Sequence, residues 1–161
     1  MKRFIVPLAI VVMLGLLGAA AAWDCVRLAA DGHRRVALAD QEMQKHELRL
    51  VKLLAGFEQR SPEVQTAIAA YHGADSPMRR HEAYEQLVTS FQKSMSSEID
   101  PTNPLDRKFM DDIAGAINRR EIAQHPYEDE FDAYQRYLNS LRGGVARWFS
   151  SHAREDWKPD G

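Results

Sequence analysis

Residues 127–148 read YEDEFDAYQRYLNSLRGGVARW. Tyr127, Phe131, Tyr134, Leu138, Leu141, Val145 and Trp148 recur at alternating spacings of four and three. On a helix that period gathers apolar side chains into one stripe, and its nearness to 3.5 residues suits knobs-into-holes packing against neighbouring helices. Upstream, Met110, Ile113 and Ile117 lie in the same register, which carries Arg120 and Gln124 onto the inward seam between the two apolar runs. Pro126 predicts a kink, because its ring removes a backbone donor and crowds the preceding turn. Gly143-Gly144 weakens the helix, and either ends it or permits close packing.

Earlier stretches carry the same signature. Val36, Ala39, Met43, His46, Leu50, Leu53 and Phe57 trace a seam, widened by Leu48, Val51 and Leu54, on a helix expected to end near Gln59 or Arg60. Ser61-Pro62-Glu63 reads as a new start, with a hydroxyl at the N-cap, proline at N1 and an acid in the first turn. Val64, Ile68 and Tyr71 follow, before an interruption at residues 73–77. Ser76-Pro77 repeats the start signal, and His81, Tyr84, Val88, Phe91 and Met95 resume the stripe, so residues 62–95 read as two collinear or bent helices. Asp100-Pro101-Thr102-Asn103-Pro104 is the clearest loop, and Pro104 opens the last helix. No strand-like alternation is long enough for a sheet. The expected fold is all-α: an N-terminal transmembrane helix followed by an elongated antiparallel three-helix, coiled-coil-like bundle.

The N-terminal part is the apolar run FIVPLAIVVMLGLLGAAAAW at residues 4–23, from Phe4 to Trp23, preceded by Lys2 and Arg3. Twenty helical residues span about 30 Å, the thickness of a bilayer's hydrocarbon. Leading positive charge favours keeping that end in the cytoplasm and the remainder outside it. A cleaved signal peptide is the competing reading, with Ala20-Ala21-Ala22 as its small-residue site. Continuation of the helical pattern past Trp23, itself an interfacial residue type, favours a retained anchor in a bacterial inner membrane, with the bundle on the periplasmic side. The expected organisation is an anchor over residues 1–23, a bundle over 24–149 and a polar tail over 150–161.

The 161 residues carry 21 basic and 23 acidic side chains, a net charge of −2 that gives no reason to expect nucleic acid as a partner. A lone cysteine, Cys25, excludes an internal disulfide framework and leaves a covalent dimer as its alternative to simple packing.

The end of the last helix resembles the LemA family, in which an Asn-Arg pair and an Ile-Ala pair precede two Tyr-Asn pairs seven residues apart. Here Asn118-Arg119, Ile122-Ala123, Tyr127, Phe131, Tyr134-Gln135, Leu138, Ser140-Leu141 and Val145-Ala146 stand at matching spacings. Glu128 and Gln135 replace the family's asparagines. The first helix has Leu48-Arg49-Leu50-Val51 where the family carries an Ile-Pro-Asn-Leu-Val run, and Gly56-Phe57 follows as in the family. The resemblance implies a membrane-attached long-helix bundle with no established catalytic activity.

The six histidines never recur at three- or four-residue spacing, and His81 with Glu85 and His125 with Asp129 read as surface pairs, so neither metal nor other cofactor is expected. No nucleophile–base arrangement or phosphate-cradling loop is recognisable, so no enzyme is expected. His46 reads as a half-buried interface residue, and Tyr137, off the seam, as exposed. Arg120 and Gln124, with Tyr127 and Tyr134, are the candidate site. An inward arginine must find a partner. It then forms either a register-fixing polar layer with an acid from another helix, or a notch beside Pro126 that binds an anion or a partner. The expected function is a scaffold or protein-interaction module of the cell envelope with protein partners, self-association being open if an apolar face stays uncovered. The alternative is a cleaved, soluble periplasmic protein that holds a small ligand or metal near Arg120 and Tyr127.

Overall fold

The computed structural model describes the backbone of residues 2–57, 61–100 and 102–150, with their side chains except at 2–10 and 96–98. Among the described residues it is entirely helical: α1 (Lys2–Ala55), α2 (Pro62–His72), α3 (Pro77–Glu98), α4 (Pro104–Leu138) and α5 (Leu141–Phe149). Gln59, Arg60, Pro101 and the tail beyond Ser150 lie outside the described residues.

The turn chemistry explains the helix starts. Ser61, Ser76 and Ser140 are N-caps whose hydroxyls accept from the backbone N–H three residues on, at 3.3, 3.4 and 3.2 Å. Each satisfies one of the donors that a helix start leaves without a partner. The Asp100 carboxylate accepts from the Thr102 N–H at 2.9 Å and its hydroxyl at 2.7 Å, which draws that carboxyl below its usual range. Asn103 Oδ1 then accepts from Leu105 N at 3.0 Å to open α4 at Pro104.

Two compact units emerge. One comprises the described parts of Met1–Leu38 and Glu128–Trp157, the other Ala39–Tyr127, so α1 and α4 contribute to both. On α4 the division falls at Tyr127, beside Pro126, which lies inside the helix.

In the Ala39–Tyr127 unit one core is shared by four helical segments. Leu50, Val51 and Leu54 of α1, with Phe57 just beyond it, meet Val64, Ile68 and Tyr71 of α2, Tyr84, Leu87 and Phe91 of α3, and Ile113 and Ala116 of α4. Phe57 meets Phe91 edge-on at 5.3 Å and stacks on Phe109 at 6.0 Å. Such ring pairs contribute about 0.5–1.5 kcal/mol each beyond the area they bury. The helices α2 and α3 do not continue one rod. Ser61, at the start of α2, hydrogen-bonds Ser94 near the end of α3 at 2.8 Å, so α2 doubles back along its neighbour through the turn at residues 73–76.

Burial also moves the expected seams. On α1 the buried line runs Val36, Asp40, Met43, Glu47, Leu50 and Leu54, and continues to Phe57 just beyond it, while Ala39, His46 and Leu53 flank it half-buried. On α3 the line passes through Tyr84, Leu87 and Phe91, with Val88 and Met95 alongside.

In the other unit Phe131, Tyr134 and Leu138 are buried as the stripe predicts, but the stripe stops there. Asn139 and Ser140 break the helix, Ser140 donates its hydroxyl proton to the Tyr137 carbonyl at 2.6 Å, and α5 starts in a new phase. Leu141, Val145 and Trp148 are consequently exposed rather than buried. Gly143 is the glycine that permits close packing: a Cβ there would sit 2.3 Å from the Tyr137 carbonyl oxygen and 2.6 Å from Leu138 Cα. Tyr137 is half-buried, not exposed, because its hydroxyl donates to the Cys25 carbonyl at 2.6 Å.

One helix, by length and composition alone, is suited to crossing a membrane: α1, over Val11–Ala55 among the described residues. Val11 to Leu17 expose nearly every large apolar side chain, and Trp23 stands out from the same helix.

Candidate functional site

The Ala39–Tyr127 unit contains a buried cluster of charge with Glu47 at its centre. Glu47 lies on the inward line of α1 and has no exposed surface. Its Oε2 accepts from the Tyr71 hydroxyl of α2 at 3.1 Å and from Arg80 Nε of α3 at 3.1 Å. Its Oε1 faces Arg120 Nε of α4 at 3.6 Å. One carboxylate thus ties together all four helical segments of the core.

Each arginine has further partners. Arg80 pairs through Nη2 with Asp40, one heptad before Glu47. Arg120 donates from Nη1 to Gln124 Oε1 and from Nη2 to His81 Nδ1, and lies 3.5 Å from Glu85 Oε1 at the solvent edge. Its guanidinium also lies over the Tyr84 ring, 4.7 Å from the centroid, a cation–π contact. Guanidinium carries only donors, so His81 Nδ1 is the acceptor in this contact.

The electrostatics follow from this closure. Two buried carboxylates balance two arginines. Burial disfavours the Arg80 cation, but Asp40 and then Glu47 outweigh it and raise the pKa of Arg80. Burial, reinforced by the nearby Glu47 carboxylate, pushes the Tyr71 phenol well above its ordinary range. Tyr84 is raised by burial in spite of the adjacent Arg120 cation. Among the described residues Glu47 Oε1, Arg120 Nε and the Tyr84 hydroxyl lack a hydrogen bond, the first two facing each other as an ion pair.

Of the residues singled out in the sequence, Arg120 and Gln124 belong to this cluster and hydrogen-bond one another. Tyr127 is half-buried at the end of the same unit. Tyr134 belongs to the other unit, where it is buried against Gly32 and edge-on to His33, at 6.2 Å between centroids. His81 and Glu85, expected as a surface pair, both lie against Arg120.

Comparison with family models, with curated proteins and with solved structures returns no match to this chain. No three His, Cys, Asp or Glu side chains among the described residues come together as a metal ion would require. A shallow cleft of about 230 Å³ beside the α2–α3 turn is lined by Gln44, Leu48, Tyr71, His72, Ser76 and Arg80 among others, and by neither Arg120 nor Tyr127. Of its polar groups, Tyr71 and Arg80 are turned onto Glu47, and Asp75 pairs with Arg79 at 3.1 Å.

Asp40, Glu47 and Arg80 were not singled out in the sequence, and Tyr71 was read only as part of an apolar stripe, yet a signal exists. Counting four and three from Val36 through Met43 to Leu50 lands on 40 and 47, so two acids occupy core positions of a repeat whose apolar members are plain. What the cluster does physically is select one register. Sliding any helix by a turn strands a buried charge, at a cost of several kcal/mol.

Proposed function

We propose that this chain is a LemA-like single-pass protein of a bacterial inner membrane. In this reading an antiparallel, three-helix-type bundle on the extracytoplasmic side binds envelope protein partners and carries out no chemical reaction. The observation that carries this reading is the apolar surface of α1 from Val11 to Leu17, which nothing in the described chain covers. Apolar area left in water costs about 25 cal/mol per Å², so a bilayer is the natural solvent for it. Retention of the anchor is supported by the continuity of α1 through Ala20, Ala21 and Ala22 as far as Ala55. An antiparallel course is supported by the contacts of Tyr134 with Gly32 and of Tyr137 with Cys25, which step back along α1 as α4 advances.

The scaffold role is supported by the closed charge balance around Glu47, which specifies packing and leaves no poised nucleophile or base. The alternative, a cleaved soluble protein that holds a small ligand or metal, would draw on the cleft beside Ser76, whose best polar groups are already engaged. The deciding experiment is the intact mass of the protein recovered from carbonate-washed membranes. A full-length species in the pellet supports the anchor, and a species starting near Trp23 in the soluble fraction would overturn it. Cross-linking in intact cells then tests the scaffold: absence of any reproducible envelope partner would refute it.

A further inference from the structure

The helix α5 presents an apolar face to solvent. Leu141 is 94% exposed, Trp148 81%, Phe149 68% and Val145 40%, while Gly143 and Ala146 are buried. At about 100° per residue, Leu141, Val145 and Trp148 fall within about 60° of one another, opposite the buried pair. Arg142 and Arg147 flank this face on its two sides. The composition is that of an interfacial helix, with aromatic and aliphatic side chains on one face and arginines at its borders.

Its position along the chain is equally specific. Tyr137, four residues before α5 begins, bonds the carbonyl of Cys25. Cys25 lies two residues beyond Trp23, about 3 Å along the axis of α1. The absence of a Cβ at Gly143 lets α5 tuck directly against the last turn of α4. The exposed face of α5 is therefore held near the level at which the apolar surface of α1 ends.

We propose that α5 is an in-plane membrane helix, with Leu141, Val145, Trp148 and Phe149 embedded in the lipid interface and the arginine-bordered sides of the helix at the level of the anionic headgroups. This rests on the anchored reading of α1. A second membrane attachment within the same unit would hold that unit at a fixed orientation to the bilayer rather than on a single pivot.

The test uses the full chain reconstituted into vesicles of phosphatidylcholine and phosphatidylglycerol with lipids brominated at graded depths. Trp148 is made the sole tryptophan by Trp23→Phe and Trp157→Phe, and Trp23 the sole tryptophan by Trp148→Phe and Trp157→Phe. Shallow bromines should quench Trp148 about twofold and deep ones far less, as insertion by about 5–10 Å requires. Leu141→Glu, at a site the fold leaves exposed, should abolish that quenching. Quenching of Trp23 without quenching of Trp148 would overturn the proposal and leave the anchor standing. Quenching of neither would overturn both. A blue-shifted, unquenched Trp148 whose shift disappears as the protein is diluted in lipid would mean that a second copy covers α5, which also overturns the proposal.

Discussion

Replacing Glu47 with glutamine keeps the shape of the side chain and removes one negative charge from the centre of the bundle. Arg80 then retains Asp40, but Arg120 is left with the half-exposed Glu85 as its remaining carboxylate, beside Gln124 and His81. The glutamine amide can still offer its oxygen to Tyr71 and Arg80, and doing so turns its NH₂ donor toward the Arg120 guanidinium, donor against donor. Unit charges 4 Å apart interact by about 4 kcal/mol at an effective dielectric of 20, and the desolvation already incurred by Arg120 is not recovered. The expected loss is about 3–5 kcal/mol, the cost of breaking a buried pair, against a total stability of roughly 5–15 kcal/mol for a domain. Urea titration of the full chain in mild detergent, followed by far-ultraviolet circular dichroism, measures it. A companion variant replaces Asp40, Glu47, Arg80 and Arg120 together by leucine and methionine. Removing the whole set is expected to be neutral or stabilising by about 1–4 kcal/mol. A Glu47→Gln loss under about 1 kcal/mol would refute the account, because a cost that small belongs to a solvated surface pair.

Other expectations follow from the same contacts. Gly143→Ala forces backbone apart at Tyr137 and Leu138 and should cost about 1–3 kcal/mol, whereas Gly144→Ala, with nothing within 4 Å, should gain up to about 1 kcal/mol of helix propensity. Hydrogen exchange of the α5 amides reads both, and equal signs would contradict the packing. Tyr71, Tyr84 and Tyr137 have phenols held above their ordinary value of 10.0. The unfolded chain therefore releases those protons first, and stability should fall as pH rises through 10 and beyond. Phenolate absorbance of the native chain should show a late component that Tyr71→Phe and Tyr84→Phe diminish. Ser61→Ala deletes both the cap of α2 and the bond to Ser94, and should lower the urea midpoint by the equivalent of about 1–2 kcal/mol.

Local signals proved the most legible part of this chain. Ser61-Pro62, Ser76-Pro77 and Pro104 start helices where their side chains and fixed φ angles favour it, because capping is decided within a few residues. Arg120 was readable as an inward arginine in need of an acid, and Glu47 of α1 is that acid. The position of Glu47 itself was obscured because hydropathy assigns a charged residue to the solvent side. Only the long-range pairings with Arg80 and Arg120 make its burial tolerable. The end of the last stripe was hidden for a different reason. Asn139 and Ser140 fall between apolar positions, so the spacing continues unbroken on paper while the Ser140 cap resets the helix phase.

The balanced set of Asp40, Glu47, Arg80 and Arg120 has a consequence for how this protein changes over generations. A lineage that loses any one of the four passes through a poorly folded ancestor, whereas one that exchanges all four for apolar residues need lose nothing. The intermediate steps are the barrier, so drift at these positions should be rare and abrupt. Descendants of a common ancestor should carry the four charges together or not at all, and a chain with an odd member missing should reveal a compensating charge on the neighbouring helix.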